Sequence, residues 1–198
     1  MTSLILAAII ATAAAPAAPA APVVTVLSVV PPGAAVDTEI FAPVDSEGQV
    51  VAVRLSAGES AFSVRSVSYE LVGASDECDA GAGHIVRVWK SKALRPAASI
   101  AGGQVFEVPE AIDGYSRKVS IPLQRAIRLE VGESLFVAIE MEQDGQIGMC
   151  LAGASVAPKD TLRQFVSPTL ETPFAWSTFE SLGAEVSMDI KASGYVVR

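Results

Sequence analysis

The chain has 198 residues, with 14 Lys and Arg against 22 Asp and Glu, for a formal net charge of −8. Binding to nucleic acid or anionic lipid needs clustered basic side chains, whereas the longest basic run here is Arg117-Lys118. The composition therefore excludes a nucleic-acid partner. The length suits one domain, and no segment after the first 22 residues has the ~20 apolar positions that a membrane span requires.

The N-terminal segment has the pattern of an export signal. An uncharged apolar run at residues 4–10 is followed by small residues, and Ala18-Pro19-Ala20 matches an A-x-A-like cleavage site. We expect residues 1–20 to be a signal peptide, which places the protein in the periplasm or outside the cell. The first basic side chain is Arg54, so an uncleaved N-terminal anchor stays open as the alternative.

The rest of the chain predicts β-structure, because apolar residues recur at every second position in short runs separated by turn residues. The clearest runs begin near Val50, Val67, Val86, Val119, Leu135 and Val186. Within the fourth run, Pro122 restricts the strand to a sheet edge or end. Many short antiparallel strands bury their apolar faces by stacking as two sheets. We predict an all-β fold, a two-sheet antiparallel β-sandwich of jelly-roll type, at residues 36–198 after an Ala/Pro-rich linker at 21–35.

The two cysteines have an expected use in an exported protein. Cys78 lies in a loop-like segment, and Cys150 ends the second arm of a predicted hairpin. Cysteine pairs outside the cytosol ordinarily oxidise, so we expect a disulfide between them that closes a loop of roughly 70 residues. A reactive thiol and a metal site are the alternatives, and neither cysteine belongs to a C-x-x-C motif.

The loop around Cys78 also carries three carboxylates, Asp76, Glu77 and Asp79. Calcium takes oxygen ligands of this kind, but the order of residues differs from that of an EF-hand loop. We interpret the acids as solvated turn residues and keep calcium as the alternative. No other metal or cofactor is expected.

No catalytic motif is present. His84, the single histidine, opens a predicted strand, and no G-x-S-x-G turn, phosphate-binding loop or zinc-protease helix accompanies it. Glu140 and Glu142 share one strand face, yet acids beside a hairpin are ordinarily solvated. We therefore expect a protein that is not an enzyme.

Aromatic side chains give the remaining indication of function. Sugar-binding sandwiches stack aromatic faces on pyranose rings while nearby polar groups bind the hydroxyls. Trp89 and Tyr115 have polar neighbours, and Trp89 shares its strand face with Arg87. We take Trp89, Arg87 and Tyr115 as the candidate ligand contacts. Trp176 shares its strand face with Phe174 and Thr178, which favours a place in the core.

An export signal, one all-β domain, a cysteine pair and a closing segment from Phe174-Ala175-Trp176 to Gly194-Tyr195 together resemble the small exported bacterial jelly-roll modules of the accessory, carbohydrate-binding-like type. The resemblance covers residues 36–198. It implies glycan binding, attachment or assembly, and it assigns no individual site residue.

Two functions therefore stay open, with a hydrolase as a distant third. The first is a non-catalytic module that binds a polysaccharide or another cell-envelope component. The second is a surface or envelope structural subunit that acts through protein contacts at a strand edge, with residues 186–197 as the pairing strand.

Overall fold

The computed structural model describes residues 23–36, 49–73, 78–100, 102–112, 114–141, 149–156, 163–168 and 173–197. The expected leader with its cleavage site after Ala20 lies outside these ranges, as do Asp76 and Glu77. Within them the regular structure is β-strand apart from one 3₁₀ turn, Glu180–Leu182. None of the helical structure there has the length and apolar character of a membrane span.

The described residues form thirteen strands. In chain order these are β1 (Val24–Ser28), β2 (Gln49–Ser56), β3 (Phe62–Val72), β4 (His84–Ser91), β5 (Gln104–Val108), β6 (Ser116–Leu129), β7 (Ser134–Met141), β8 (Cys150–Leu151), β9 (Gly153–Ala154), β10 (Gln164–Ser167), β11 (Ser177–Thr178), β12 (Ser187–Met188) and β13 (Lys191–Val196).

The strands build two main antiparallel sheets, which confirms the predicted sandwich. One sheet has the order β1-β13-β3-β6, with β8 also paired to β3, and the other has the order β11-β10-β2-β7-β4-β5. A two-stranded sheet joins β9 to β12. As the proline at position 122 predicts, β6 is an edge strand.

The core between the sheets follows the alternation seen in the sequence. From the six-stranded sheet, β2, β4 and β7 contribute buried Val, Leu and Ile side chains, and β3 contributes Val67, Tyr69 and Leu71 from the other sheet. Side chains at every second position point to the same face, so a period-two pattern places one full set inside.

The six-stranded sheet is also buried on its outer face. A second apolar cluster lies there, made of Val50, Ala52, Trp89, Phe136, Ala138, Phe165 and Phe174. Two chain segments cover it, and they are joined by hydrogen bonds from the Phe174 N–H to the Ala98 carbonyl (2.7 Å) and from Trp176 Nε1 to the Ala97 carbonyl (2.9 Å). Burial on both faces explains why β2 and β7 read as continuous apolar runs.

The structure differs from the sequence-based expectation at both ends of the domain. The segment Val24–Ser28, assigned to the linker at 21–35, is a strand that pairs along its whole length with β13. Its β-branched residues favour an extended backbone. The final run at 186–197 is two strands, β12 and β13, and β13 lies between β1 and β3, so its edges are already paired.

A disulfide joins Cys78 to Cys150, with a Cα–Cα distance of 5.3 Å and a sequence separation of 72. Both cysteines are buried in a small cluster with Val72 and Ala152. Because Cys150 belongs to β8, which pairs with the end of β3, the bond ties the loop before β4 to the five-stranded sheet.

Replacing both cysteines by alanine should lower the free energy of unfolding by about 2–4 kcal/mol, because the unfolded chain regains the freedom that the closed loop removes. Urea unfolding followed by tryptophan fluorescence measures this change. The wild-type chain treated with a reducing agent is the control and should lose a similar amount. Unchanged unfolding midpoints in both samples would contradict a stabilising role for the bond.

Candidate functional site

Of the three residues that the sequence singled out as ligand contacts, the structure keeps Trp89 and Arg87 together on β4 and separates Tyr115 from them. Trp89 is 9% exposed, and its ring stacks on that of Phe136 at 5.3 Å between centroids with an interplanar angle of 13°. The expectation of an open aromatic face at Trp89 is therefore wrong, since the outer cluster of the six-stranded sheet covers most of the ring.

Arg87 lies on the same face of β4 and is engaged in an ion pair. Its Nε donates to Glu140 Oε1, and its Nη2 donates to Glu140 Oε2 at 3.3 Å. This paired hydrogen bonding raises the pKa of Arg87 above its ordinary value. Glu140 is buried, so the interpretation of that acid as solvated is also wrong.

Tyr115 is 66% exposed. Its carbonyl accepts a hydrogen bond from the Gly73 N–H (2.9 Å), just before β6 begins. The part of β6 that approaches Trp89 is Arg125 to Arg128, about 30 Å farther along the strand at ~3.3 Å per residue. Tyr115 and Trp89 do not line one site.

The carboxylate loop is described only in part. Asp79 Oδ1 accepts a hydrogen bond from the Gly81 N–H at 2.6 Å, which is the ordinary use of an Asp in a turn. Among the described residues no group of three or more His, Cys, Asp or Glu side chains could hold a metal ion. Calcium binding by Asp76, Glu77 and Asp79 stays the untested alternative, since Asp76 and Glu77 lie outside the described residues.

His84 lies buried against Tyr69 at the start of β4. Its Nδ1–H donates to the Ala82 carbonyl (2.9 Å), which leaves Nε2 to accept from the Tyr69 hydroxyl. Burial is the main cause that lowers the pKa of His84, and the nearby Arg117 guanidinium lowers it further. Burial also raises the pKa of Tyr69. Both ring nitrogens therefore serve the fold.

Within the described residues, the candidate binding site is a cleft that the sequence analysis missed. It lies between the β4–β5 hairpin of one sheet and β6 of the other, and its volume is about 330 Å³. The lining residues are Trp89, Lys90, Gly103, Gln104, Arg125, Ala126, Ile127 and Arg128. Trp89 thus contributes to the cleft, while Arg87 and Tyr115 do not.

A bulge in β6 forms one wall of the cleft. The pairing of β3 with β6 shifts from Ser66↔Pro122 to Val64↔Ile127, so residues 123–126 stand opposite Arg65 alone. Extra residues in one strand bend it away from its partner. Here the bend carries the backbone of β6 toward the edge of the six-stranded sheet.

Gln104 fixes this bulge against β5. Its side-chain Nε2 donates to the Arg125 carbonyl (2.8 Å), and its Oε1 accepts from the Arg125 N–H (3.2 Å). Gln104 is buried, so these two hydrogen bonds satisfy a side-chain amide that would otherwise be costly to bury. The backbone at Arg125 is held at both its donor and its acceptor.

Gly103 is required for the shape of the opposite wall. It has a φ of +100°, and a Cβ added there would lie 2.7 Å from the Val88 carbonyl oxygen and 3.0 Å from Trp89 Cβ. Only glycine satisfies both the left-handed backbone and the close approach to β4.

Three cations lie around the cleft, and two of them have acidic partners. Lys90 Nζ donates to Glu133 Oε2 (3.1 Å) and to the Arg128 carbonyl (3.1 Å). Arg128 Nε donates to Glu130 Oε1 (2.7 Å). Within the described part of the chain, the Arg125 guanidinium makes no hydrogen bond or ion pair. The cleft therefore combines fixed walls with hydrogen-bond donors at its rim.

No protein-family model and no curated protein matches this sequence. Among solved structures, the chain is similar to the cysteine protease and lectin-like domains of Cwp84, a surface-layer-associated protein of Clostridium difficile. That comparison has a TM-score of 0.51 and 12% identity over 79% of this chain and 33% of that chain. The clostridial cysteine protease Cwp84 after propeptide cleavage gives a TM-score of 0.55 and 12% identity over 88% of this chain and 40% of that chain.

The present chain thus spans between a third and two fifths of the length of the structures it resembles. At this level of identity the likeness shows a shared fold.

We predict that the stability of the protein falls more steeply with acidification when His84 is present. The neutral imidazole is favoured in the fold, so the unfolded chain takes up a proton first as the pH drops below about 6.5. Above that pH the neutral His84 contributes its full stabilisation of the fold. Below it, this stabilisation decreases until the pH reaches the lower pKa that His84 has in the folded protein. Urea unfolding at several pH values from 7.5 to 5.0 measures it.

His84→Gln is the matched variant, because a neutral amide keeps a hydrogen-bond acceptor near Tyr69 and does not titrate. Its loss of stability over this range should be smaller than that of the wild type. Parallel curves for the two proteins would contradict the prediction.

Proposed function

We propose that this protein is an exported, non-catalytic binding module whose ligand is a glycan or another carbohydrate-containing component of the cell envelope. The observation that carries the proposal is the cleft between the β4–β5 hairpin and the bulged β6. Its volume of about 330 Å³ lies at the lower end of the range for small-molecule sites, about 300–1,000 Å³.

The chemistry of the cleft suits a carbohydrate. The edge of Trp89 supplies an apolar contact, and the amine and guanidinium groups at the rim supply donors for hydroxyl groups. Gln104 and Gly103 hold the walls in place, so little ordering would be needed on binding.

Two further observations support an exported protein with this role. A buried disulfide is typical of proteins that fold outside the cytosol. The solved structures of similar fold belong to a surface-layer-associated protein, and one of them includes a lectin-like domain. Together with the apolar leader, these observations favour action at or beyond the cell surface.

Filling the cleft should abolish binding. Ala126 is exposed and lines the cleft, so Ala126→Trp places a large side chain in it without removing any contact of the core. We expect the full-length wild-type chain to be retarded in native gels that contain one or more of a panel of polysaccharides, and the variant to migrate as it does without polysaccharide.

The matched control is Ala111→Trp, which adds the same side chain at an exposed position on the β5–β6 loop near Tyr115. It should be retarded like the wild type, and all three proteins should share one melting temperature within about 3 °C. Equal retardation of both variants would overturn the assignment of the cleft. Trp89→Ala is not informative here, because removing a buried Trp costs about 3–5 kcal/mol of stability.

The second candidate is a structural subunit of the surface or envelope, and the outer edge of β1 favours it. β1 pairs only with β13 among the described strands, and Val24 and Val26 are 60% and 51% exposed. An exposed apolar edge strand can pair with another chain. This role needs β1, because β13, which the sequence suggested, is already paired on both edges.

Size-exclusion chromatography with light scattering distinguishes the two candidates. A structural subunit should form larger species as the protein concentration rises from about 1 to about 100 μM, a range in which weak association is measurable. Val26→Lys should suppress these larger species. A wild-type chain that stays monomeric throughout would exclude self-assembly through β1.

A further inference from the structure

We propose that the cleft selects carbohydrates that carry anionic groups, and that Arg125 is the residue that contacts the anion. This inference rests on the proposed function, since it names the class of glycan that the same site would take. It also predicts that the protein does not bind uncharged glycans, a selectivity that the shape of the cleft alone does not predict.

The first argument is the sign of the charges. Three of the eight lining residues are cationic, Lys90, Arg125 and Arg128, and none is acidic. The chain as a whole has 22 acidic and 14 basic side chains, so the cleft has the opposite charge balance to the rest of the protein. A recess lined by one sign of charge concentrates ligands of the other sign.

The second argument is the state of each cation. Lys90 is paired with Glu133. The Glu130 N–H and, to a smaller extent, the Lys90 ammonium hold the pKa of Glu133 below its usual range. Arg128 is paired with Glu130, but both side chains are more than half exposed, at 60% and 54%. Exposed ion pairs contribute little, about 0–1 kcal/mol, so Arg128 can exchange Glu130 for an anion of the ligand.

The third argument is the position of Arg125. Its backbone is fixed at both N–H and C=O by Gln104, and in the described residues its guanidinium has no acidic partner. A planar guanidinium presents two parallel donors that match the two oxygens of a carboxylate, sulfate or phosphate group. Arg125 therefore provides an uncompensated charge on a fixed backbone at the rim of a cleft of sugar size.

The site thus has a division of roles. Arg125 on the bulge and Arg128, three residues later where pairing with β3 has resumed, supply the groups that bind an anion. Lys90 is held by Glu133 and by the Arg128 carbonyl. Gln104 acts through the Arg125 backbone as a positioning residue. The bulge in β6 is what brings these groups to the edge of the other sheet.

The test uses pairs of polymers that differ in charge alone. Immobilised polygalacturonate, compared with its methyl ester, tests binding to carboxylate groups. Dextran sulfate and dextran phosphate test binding to sulfate and phosphate groups, and plain dextran is their neutral counterpart. Binding of the full-length chain is measured by biolayer interferometry at 50 and 300 mM NaCl. We expect binding to one or more charged polymers, at least about fivefold weaker at the higher salt, and none to its neutral counterpart.

Two variants with the same change in net charge make the result specific. Arg125→Gln should weaken binding about tenfold or more, since a hydrogen bond to a charged group is typically worth that factor. Arg95→Gln removes an exposed guanidinium outside the cleft and should bind like the wild type. The charged polymer whose binding is weakened by Arg125→Gln identifies the anionic group that Arg125 contacts.

The outcomes are distinct. Equal loss in both variants would mean general attraction to charge and would overturn the role of Arg125. Equal binding to charged and neutral polymers, unaffected by Arg125→Gln, would overturn the selectivity while the proposed glycan-binding function survives. Binding to no carbohydrate at all would overturn both.

Discussion

Burial of both faces of the six-stranded sheet is the constraint on which the rest of this structure depends. β2 is apolar at nearly every position and is buried along both faces, so one opposing sheet cannot cover it. The long connection between β4 and β5 and the segment around Phe174 supply the second cover. Stability then rests on two apolar layers instead of one, each of which excludes water from a face of the same sheet.

This second cover also positions the candidate site. The β4–β5 connection crosses the outer face and returns through Gly103 to start β5, where Gln104 meets the bulge in β6. The cleft therefore depends on the same connection that buries Trp89.

The strands of the sandwich could be predicted from the sequence because their alternation is local. A period-two pattern tells which residues share a face, and for β3 and β6, which alternate in burial, this was enough. It cannot tell whether a chain segment covers the outward face. For that reason the exposure of Trp89 was predicted wrongly: its cover depends on Trp176 and Ala97, whose hydrogen bond spans 79 positions.

The cleft could not be predicted from the sequence for a related reason. Lys90, Gln104 and Arg125 come from three different strands, and none stands out in its own segment. Only the bulge after Pro122 brings them together, and a bulge depends on the register with β3. The weak local indications were the Gly102-Gly103 pair and the spacing of Arg125 and Arg128. The linker assigned to 21–35 was misjudged because the partner of β1 is the far end of the chain.

The Gln104–Arg125 contact also has a consequence for the edge of the sheet at β6. β5 and β6 are edges of the two sheets, and an unprotected edge is a template on which a second chain can add a strand and start an aggregate. At this side of the sandwich, the side-chain amide of Gln104 is hydrogen-bonded to the N–H and the carbonyl of Arg125. A strand from a second chain would need these two groups for pairing. The bulge also breaks the regular spacing of β6. The same contact that shapes the cleft thus also removes one pairing site from the edge strand β6.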